Sequence, residues 1–338
     1  TTREKWEWKH LQNPLNPPNP KVVVALDGDR VVGARPLMLA NMRLGNEILR
    51  AGQPCDTMVH PDYRRQGLLS RMNNLAIEHA KTMGLSLFYN FPNPFSAPGY
   101  LKQGWQRVIP LESLMRFEKP VQVAEAKFGR GVAGRVVGTS YKMLFGGVPR
   151  RNCRPREHDC WIETSDNAIE ELEGLEKLYQ EGKIELERSR TYLEWRIDCH
   201  PEQKYRYIMC FENEDLVGYV LVGLSKWHND LRVGQIVDYM VGSRGSDSVD
   251  AMFDRAVFEL STMGCDMLCT WAPVDEVICN ILKRSFGFRS SFDFPLRLAF
   301  RGEPDWLVAR ALDTSLPRNL CVCDAAAWRL TPMFFDLA

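Results

Sequence analysis

The stretch with the clearest chemical content reads Met58-Val59-His60-Pro61-Asp62-Tyr63-Arg64-Arg65-Gln66-Gly67-Leu68-Leu69-Ser70-Arg71-Met72. The apolar residues up to Val59 predict a strand, and Pro61 ends it. Leu68, Met72, Leu75, Ile77 and Ala80 form an approximate helical stripe from Leu68 to Met83. Between strand and helix lies a basic turn that contains Gly67. The first turn of a helix exposes N–H groups without intrahelical partners and the positive end of the helix dipole. Gly67 has no Cβ to hold a ligand away, and Arg64 and Arg65 add positive charge. Such a loop suits a diphosphate held mainly by backbone donors.

The whole string resembles the coenzyme-A-binding motif of the GNAT acetyltransferase superfamily, V-x-P-x-[YF]-R-x-x-G-x-[GA]. Val59, Pro61, Tyr63, Arg64 and Gly67 match it, and Leu69 departs from the closing Gly or Ala. A second family pattern, N-x6-Y-x-K-x-G-[FW], is met by Asn93, Tyr100, Lys102, Gly104 and Trp105. Pro98 and Gly99 predict a shortened helix before Tyr100. The resemblance implies acetyl-CoA or another acyl-CoA as co-substrate, contacted by Met58, Val59, Arg64, Arg65, Gln66, Gly67, Leu68, Leu69, Ser70 and Asn93. It implies a backbone N–H at Met58 or Val59 for the thioester oxygen. It also makes Tyr100 the acid that meets the departing thiolate, with ring packing as the alternative.

The incoming amine must lose a proton. Asp56, upstream on the same strand, is the expected base: a carboxylate beside an apolar strand can be tuned for that task. Asp238 stands at the matching place further along the chain, which favours a structural role for both instead. His60, next to Pro61, is the other candidate, or else a surface histidine.

The elements that position these residues occur twice. Lys21–Gly33 and Arg206–Gly218 each read as strand, turn and strand. Gly52-Gln53 and Asp56 recur as Gly234-Gln235 and Asp238, Thr82-Met83-Gly84 as Thr262-Met263-Gly264, and Gly104-Trp105 as Gly287-Phe288. Trp8-Lys9 and Trp195-Arg196 precede the two copies. A final strand is expected around Leu114–Phe117 and around Leu296–Phe300. The fold class is therefore α/β (α+β): two GNAT-like domains, each a mixed, mostly antiparallel sheet flanked by helices. The expected boundaries are a catalytic, acyl-CoA-binding domain at 1–120, a connection at 121–160, a degenerate copy at 161–305 and a C-terminal tail at 306–338. Val121 to Phe145 reads as a helix or a loop-rich connection, and Asn167 to Glu181 as an amphipathic helix. The second copy lacks the proline–arginine turn, and Lys283 stands in the place of Tyr100, so one coenzyme site is expected, in the N-terminal half.

Bulk properties agree with a soluble enzyme. The chain has 338 residues, 43 basic and 43 acidic, with 45% hydrophobic and 25% charged residues. Zero formal net charge gives no argument for a nucleic-acid partner. No apolar run approaches the roughly 20 residues that span a bilayer. The ten cysteines are scattered without paired CxxC spacing, so no metal is expected. The combined expectation is a cytoplasmic N-acyltransferase acting on a primary amine of a small molecule, with an amino sugar as one option. The alternatives are a non-catalytic acyl-CoA-binding or scaffold protein and a peptide or protein N-acetyltransferase. A homodimer is the default assembly, and the Arg150–His158 loop is a candidate for meeting a phosphorylated or nucleotide-linked sugar.

Overall fold

The computed structural model describes all residues except 1, 19–21, 146–159, 168–171, 173, 181, 228–229, 243–245, 273–275, 295, 300–304, 313–321 and 336–338. The Arg150–His158 loop lies outside the described residues. Helix α1 (Arg3–His10) is followed by strands β1 (Val23–Asp27), β2 (Arg30–Arg35), β3 (Leu37–Leu44), β4 (Glu47–Pro54) and β5 (Met58–Val59). Then come α2 (Leu68–Thr82), β6 (Leu87–Asn90), α3 (Ala97–Lys102), β7 (Gln106–Pro110) and β8 (Ser113–Phe117). Helices α4 (Pro120–Phe128) and α5 (Val132–Phe145) lead to β9 (Cys160–Ser165), β10 (Ile184–Leu186) and α6 (Arg190–Leu193). The second half runs β11 (Tyr205–Glu212), β12 (Asp215–Lys226), β13 (Arg232–Val241), α7 (Ser246–Thr262) and β14 (Met267–Trp271). It closes with α8 (Glu276–Asn280), β15 (Arg289–Ser290), α9 (Leu296–Ala299) and β16 (Trp306–Ala311).

The repeated sequence folds twice in the same way. Both hairpins carry an irregularity at the same place, between Ala25 and Leu26 and between Cys210 and Phe211. Gly33 and Gly218 each sit under a helix methionine: a Cβ would meet Met72 Cε at 3.1 Å and Met252 Cε at 2.8 Å. Each copy turns through a left-handed glycine after its main helix, at Gly84 and Gly264, and again at Gly104 and Gly287. The indoles of Trp8 and Trp195 stack at 5.1 Å, and each Nε1 donates to the other's carbonyl oxygen at 2.9 Å. That reciprocity is the mark of a two-fold contact. A single apolar cluster joins the halves and includes Trp8, Met38, Tyr89, Trp195, Tyr219 and Trp328.

The strands form a six-stranded sheet ordered β10-β3-β4-β6-β16-β7, a seven-stranded sheet ordered β15-β8-β14-β13-β12-β11-β9, and a small sheet ordered β1-β2-β5. The closing strands are exchanged. β8, expected to finish the first copy, lies between β14 and β15 in the second sheet. β16 takes the reciprocal place between β6 and β7. Leu296–Ala299 is a helical turn instead of the expected strand. Within the segment expected as a C-terminal tail, β16 pairs in the first sheet and Trp328 and Phe334 are fully buried.

In the first half two breaks split the sheet, the second of them within what the sequence reading had as one strand. Pro36, which has no N–H for the ladder, separates β2 from β3, and Asp56 (φ 48°) separates β4 from β5. β4 pairs in parallel with β6 only at Ala51–Leu87 and Gly52–Phe88, and β5 pairs with β2 alone, so the strands part beyond Gly52. In the second half β12 and β13 run through unbroken.

Val121 to Phe145 resolves the open alternative as a helical hairpin. A Cβ on Gly138 would lie 2.5 Å from Val121 Cα and 2.9 Å from Pro120 O, backbone atoms that cannot yield locally. Gly138→Ala is expected to push α5 off α4 at a cost of about 1–3 kcal/mol, read as faster hydrogen exchange confined to the hairpin. Of the helix expected at Asn167–Glu181, the described part is a short 3-10 turn at Leu175–Leu178.

His200 joins the halves by packing and is held neutral by its surroundings. Its ring lies edge-on to Trp8 at 4.5 Å and near Tyr205 at 5.7 Å. Burial, helped by Arg196, Lys5 and Lys9, pushes its pKa down to about 3. Below the ordinary value of 6.5 the unfolded chain binds a proton that the folded chain refuses. Stability is therefore complete above that value and falls as pH drops toward 3, by at most about 1.4 kcal/mol per pH unit. Thermal melts from about pH 7 to about pH 4 should show a shallower decline for His200→Gln than for wild type.

Candidate active site

The turn after β5 has the form the motif requires. Pro61–Tyr63 is one 3-10 turn, and Tyr63 OH donates to Asp27 Oδ2 at 2.5 Å, tying the turn to the β1–β2 hairpin. Arg64 Nε donates to Val59 O and Gln66 Nε2 to Asp62 O. Arg65 (φ 62°) and Gly67 (φ 75°) are both left-handed. Gly67 is the N-cap residue of α2, and no side chain caps that helix start. A Cβ at Gly67 would meet nothing within 4 Å. Arg64, Arg65, Gln66, Gly67 and Ser70 are exposed, and Leu68 and Leu69 are half-buried. Among the described residues neither Arg64 nor Arg65 pairs with a carboxylate. Leu69, the departure from the family pattern, lies over Gly99 of α3, with Cδ2 3.9 Å from where a Cβ there would be.

β5 is an edge strand, and its register settles which N–H faces outward. His60 N donates to Val32 O at 2.8 Å across the continuation of the β2–β5 pairing. Antiparallel ladders alternate hydrogen-bonded and non-hydrogen-bonded pairs. Gly33–Val59 is therefore a non-hydrogen-bonded pair, and Val59 turns its N–H and C=O to the outer edge. Met58, one residue earlier, spends its N–H on β2.

Tyr100, on the short α3, is buried against Trp105, with ring centroids 4.9 Å apart. Its hydroxyl oxygen accepts from Asn90 Nδ2 at 2.6 Å and from Arg35 Nη1 at 3.4 Å. Asn90 is oriented by Phe91 N, which donates to Asn90 Oδ1 at 2.8 Å. Both neighbours of the phenol oxygen are thus donors, and the O–H is left to donate elsewhere. Asn73 of α2 accepts from Arg35 and donates to Gln103, and Gln103 Nε2 donates to Ser70 O at 3.2 Å. This chain of bonds locks the Tyr100 helix to the first turns of α2.

Other expected residues are engaged structurally. Asp56 accepts from Lys9 Nζ at 3.2 Å and lies 3.1 Å from His10 Nε2, so it clamps α1 to the strand break. His10, Cys55 and Asp56 bring ligand atoms within 4.8 Å of one another, a spacing a metal could use. The Lys9 ammonium already supplies the positive charge there. Asp238 has the same structural character: it pairs with Arg188 at 2.7 and 2.9 Å and accepts from Thr331 at 2.6 Å. Burial alone would raise its carboxyl, and Arg188 outweighs that to hold it below the ordinary value. His60 Nε2 meets Arg30 at 2.9 Å. Asn93 Oδ1 accepts from Phe95 N and Ser96 N, shaping the turn before α3. The sequence reading missed Arg35, Asn73 and Asn90; the one available signal was an asparagine closing the apolar strand Leu87-Phe88-Tyr89-Asn90.

A split mixed sheet, an uncapped helix start after an Arg-x-x-Gly turn, and a buried tyrosine beside the gap define a GNAT fold. Residues 1–108 match the family model described as an acetyltransferase (GNAT) domain. No curated protein matches the sequence. The fold is similar to that of a conserved Enterococcus faecalis V583 protein of unknown function described as a probable N-acyltransferase. That match has 13% identity and a TM-score of 0.57, and covers 92% of this chain and 66% of the other. A GCN5-related N-acetyltransferase from Anabaena variabilis ATCC 29413 is 12% identical, with a TM-score of 0.53 and coverages of 86% and 62%. Saccharomyces cerevisiae N-myristoyltransferase with bound myristoyl-CoA is 9% identical, with a TM-score of 0.57 and coverages of 92% and 71%. The chain therefore spans slightly less than two thirds of the two bacterial proteins, and at these identities the likeness concerns the fold.

Proposed function

We propose that the protein is an acyl-CoA-dependent N-acyltransferase that moves an acetyl or other short acyl group to a primary amine of a small molecule. The observation that carries this reading is the uncapped start of α2 at Gly67, next to the outward edge of β5. In this reading the coenzyme diphosphate rests on the first N–H groups of α2, with Arg64 and Arg65 at its flank. The thioester lies along β5, with its carbonyl oxygen on Val59 N–H. Bringing a neutral amine to an already activated thioester is the larger part of the work, and Tyr100 meets the sulfur that leaves. The ion pair of Asp56 with Lys9 favours an anchoring role, so the amine proton passes to water.

For the acceptor, support comes from the aromatic group Phe91, Trp271 and Phe335, where the ends of β6 and β14 approach each other. Phe91 lies 5.0 Å from Trp271 and 5.7 Å from Phe335. Phe91 is buried, and the half-buried rings of Trp271 and Phe335 that pack on it would be the surfaces for a sugar or another small amphipathic amine. Among the described residues no helix is long and apolar enough to cross a membrane.

The test measures thiol release from acetyl-, propionyl- and hydroxybutyryl-CoA across a panel of amino sugars, polyamines and short peptides. Turnover with a small amine bears out the reading. Turnover with peptides alone moves the acceptor class. Calorimetric binding of CoA without turnover on any amine favours a binding module, and no binding of any CoA thioester sinks the proposal.

A further inference from the structure

Arg35 is 1% exposed, yet no carboxylate accompanies it among the described residues. Its guanidinium donates to Asn73 Oδ1 at 2.6 Å, Thr57 Oγ1 at 3.2 Å and Tyr100 OH at 3.4 Å, all neutral oxygens, and its Nε has no partner. Withdrawing a cation from water without a counter-charge is costly, so this position calls for an explanation.

The fold itself does not demand it. Aligning Gly33 with Gly218 places Val220, fully buried, where Arg35 stands. Aligning Met72 with Met252 places Phe253 at Asn73, and Thr82–Gly84 with Thr262–Gly264 places Thr270 at Asn90. Lys283 stands at Tyr100. The same architecture is thus built once with apolar Val220 and Phe253 at the places of Arg35 and Asn73, and once around a buried cation with polar companions. The polar version occurs in the half that has the phosphate turn.

We propose that Arg35 is the positioning residue for the leaving group: it holds the Tyr100 oxygen from behind and offsets the negative charge that develops on the coenzyme sulfur. The inference rests on the acyltransferase reading. In that reaction the amine nitrogen forms the C–N bond as the C–S bond breaks, and the electron pair departs on sulfur. Tyr100 shares or gives its proton to sulfur, and the proton released by the amine restores Tyr100 through water. Arg35 keeps its own protons throughout and supplies fixed charge. The same arrangement stabilises the thiolate of bound CoA in the absence of any acceptor.

The experiment titrates CoA bound to the full chain by the ultraviolet absorbance of its thiolate, with desulfo-CoA as blank. In wild type the bound thiol should titrate about one unit or more below free CoA, a tenfold gain in thiolate. Arg35→Gln should abolish the shift and Arg35→Lys should keep part of it. Affinity for desulfo-CoA should change less than about threefold in both, because charge loss would act only through sulfur. A merely structural arginine would instead weaken CoA and desulfo-CoA alike. The proposal is overturned if bound wild-type CoA titrates like free CoA, or if Arg35→Gln leaves the shift intact. The wild-type titration stands even if a variant fails to fold. No CoA binding by wild type would overturn the acyltransferase reading itself, and this inference with it.

Discussion

Gly67→Val is expected to raise the dissociation constant for acyl-CoA by about 100-fold while lowering the melting temperature only slightly. Two physical effects combine. A β-branched residue at φ 75° is strained, so the loop relaxes to another conformation, and its N–H groups cease to converge. The new Cβ meets nothing in the ligand-free protein, so little packing is lost on an exposed loop. The penalty therefore appears when a diphosphate needs that space. The check is calorimetry with CoA alongside a thermal melt, and an unchanged affinity in a folded variant would remove the turn from the coenzyme site. In kinetics the variant should raise KM far more than it lowers kcat, because the coenzyme grip acts alike in the ground and transition states. Arg64→Ala and Arg65→Ala should weaken binding less, with a difference that fades at high salt.

Tyr100→Phe should act on the other parameter. Losing an acid at the leaving group is expected to lower kcat by about 100-fold or more, with KM close to wild type. The substitution also strands the buried donor Asn90 Nδ2 and leaves Arg35 Nη1 with Thr57 Oγ1 alone, at a stability cost of about 1–3 kcal/mol. Stability and catalysis can be separated by the leaving group. A thioester of a more acidic thiol needs less help, so the deficit should shrink with it, whereas a deficit caused by loosened structure would stay constant. Constancy across thiols would return Tyr100 to the role of a packed ring.

Much of this architecture is legible in the sequence where information is local. The Val59–Gly67 turn announces itself because proline, arginine and glycine each impose a backbone or charge requirement. The duplication shows through Gly33/Gly218 and Gly84/Gly264, since close approach or left-handed backbone restricts these places to glycine. Other features escape such a reading because they are decided between distant segments. Leu114–Phe117 has the composition of a strand whichever sheet receives it. Nothing near Arg35 in the chain marks it as buried, and its companions Asn73 and Tyr100 lie far along the sequence. The partnership of Asp56 with Lys9 depends on α1 folding back over the strand break. Of the two oxyanion candidates, Val59 stands out only once the register of β5 on β2 is known.

The reciprocal placement of β8 and β16 has a consequence for biosynthesis. As the chain leaves the ribosome, the first sheet lacks the strand between β6 and β7 until residues 306–311 emerge. Those two edges stay unsatisfied until then and offer a template for mispairing. Co-expressing residues 1–112 and 113–338 as separate chains would ask whether the halves can find each other by that exchange. Maturation of the coenzyme cleft would then wait on a segment made about 200 residues after the strands it joins.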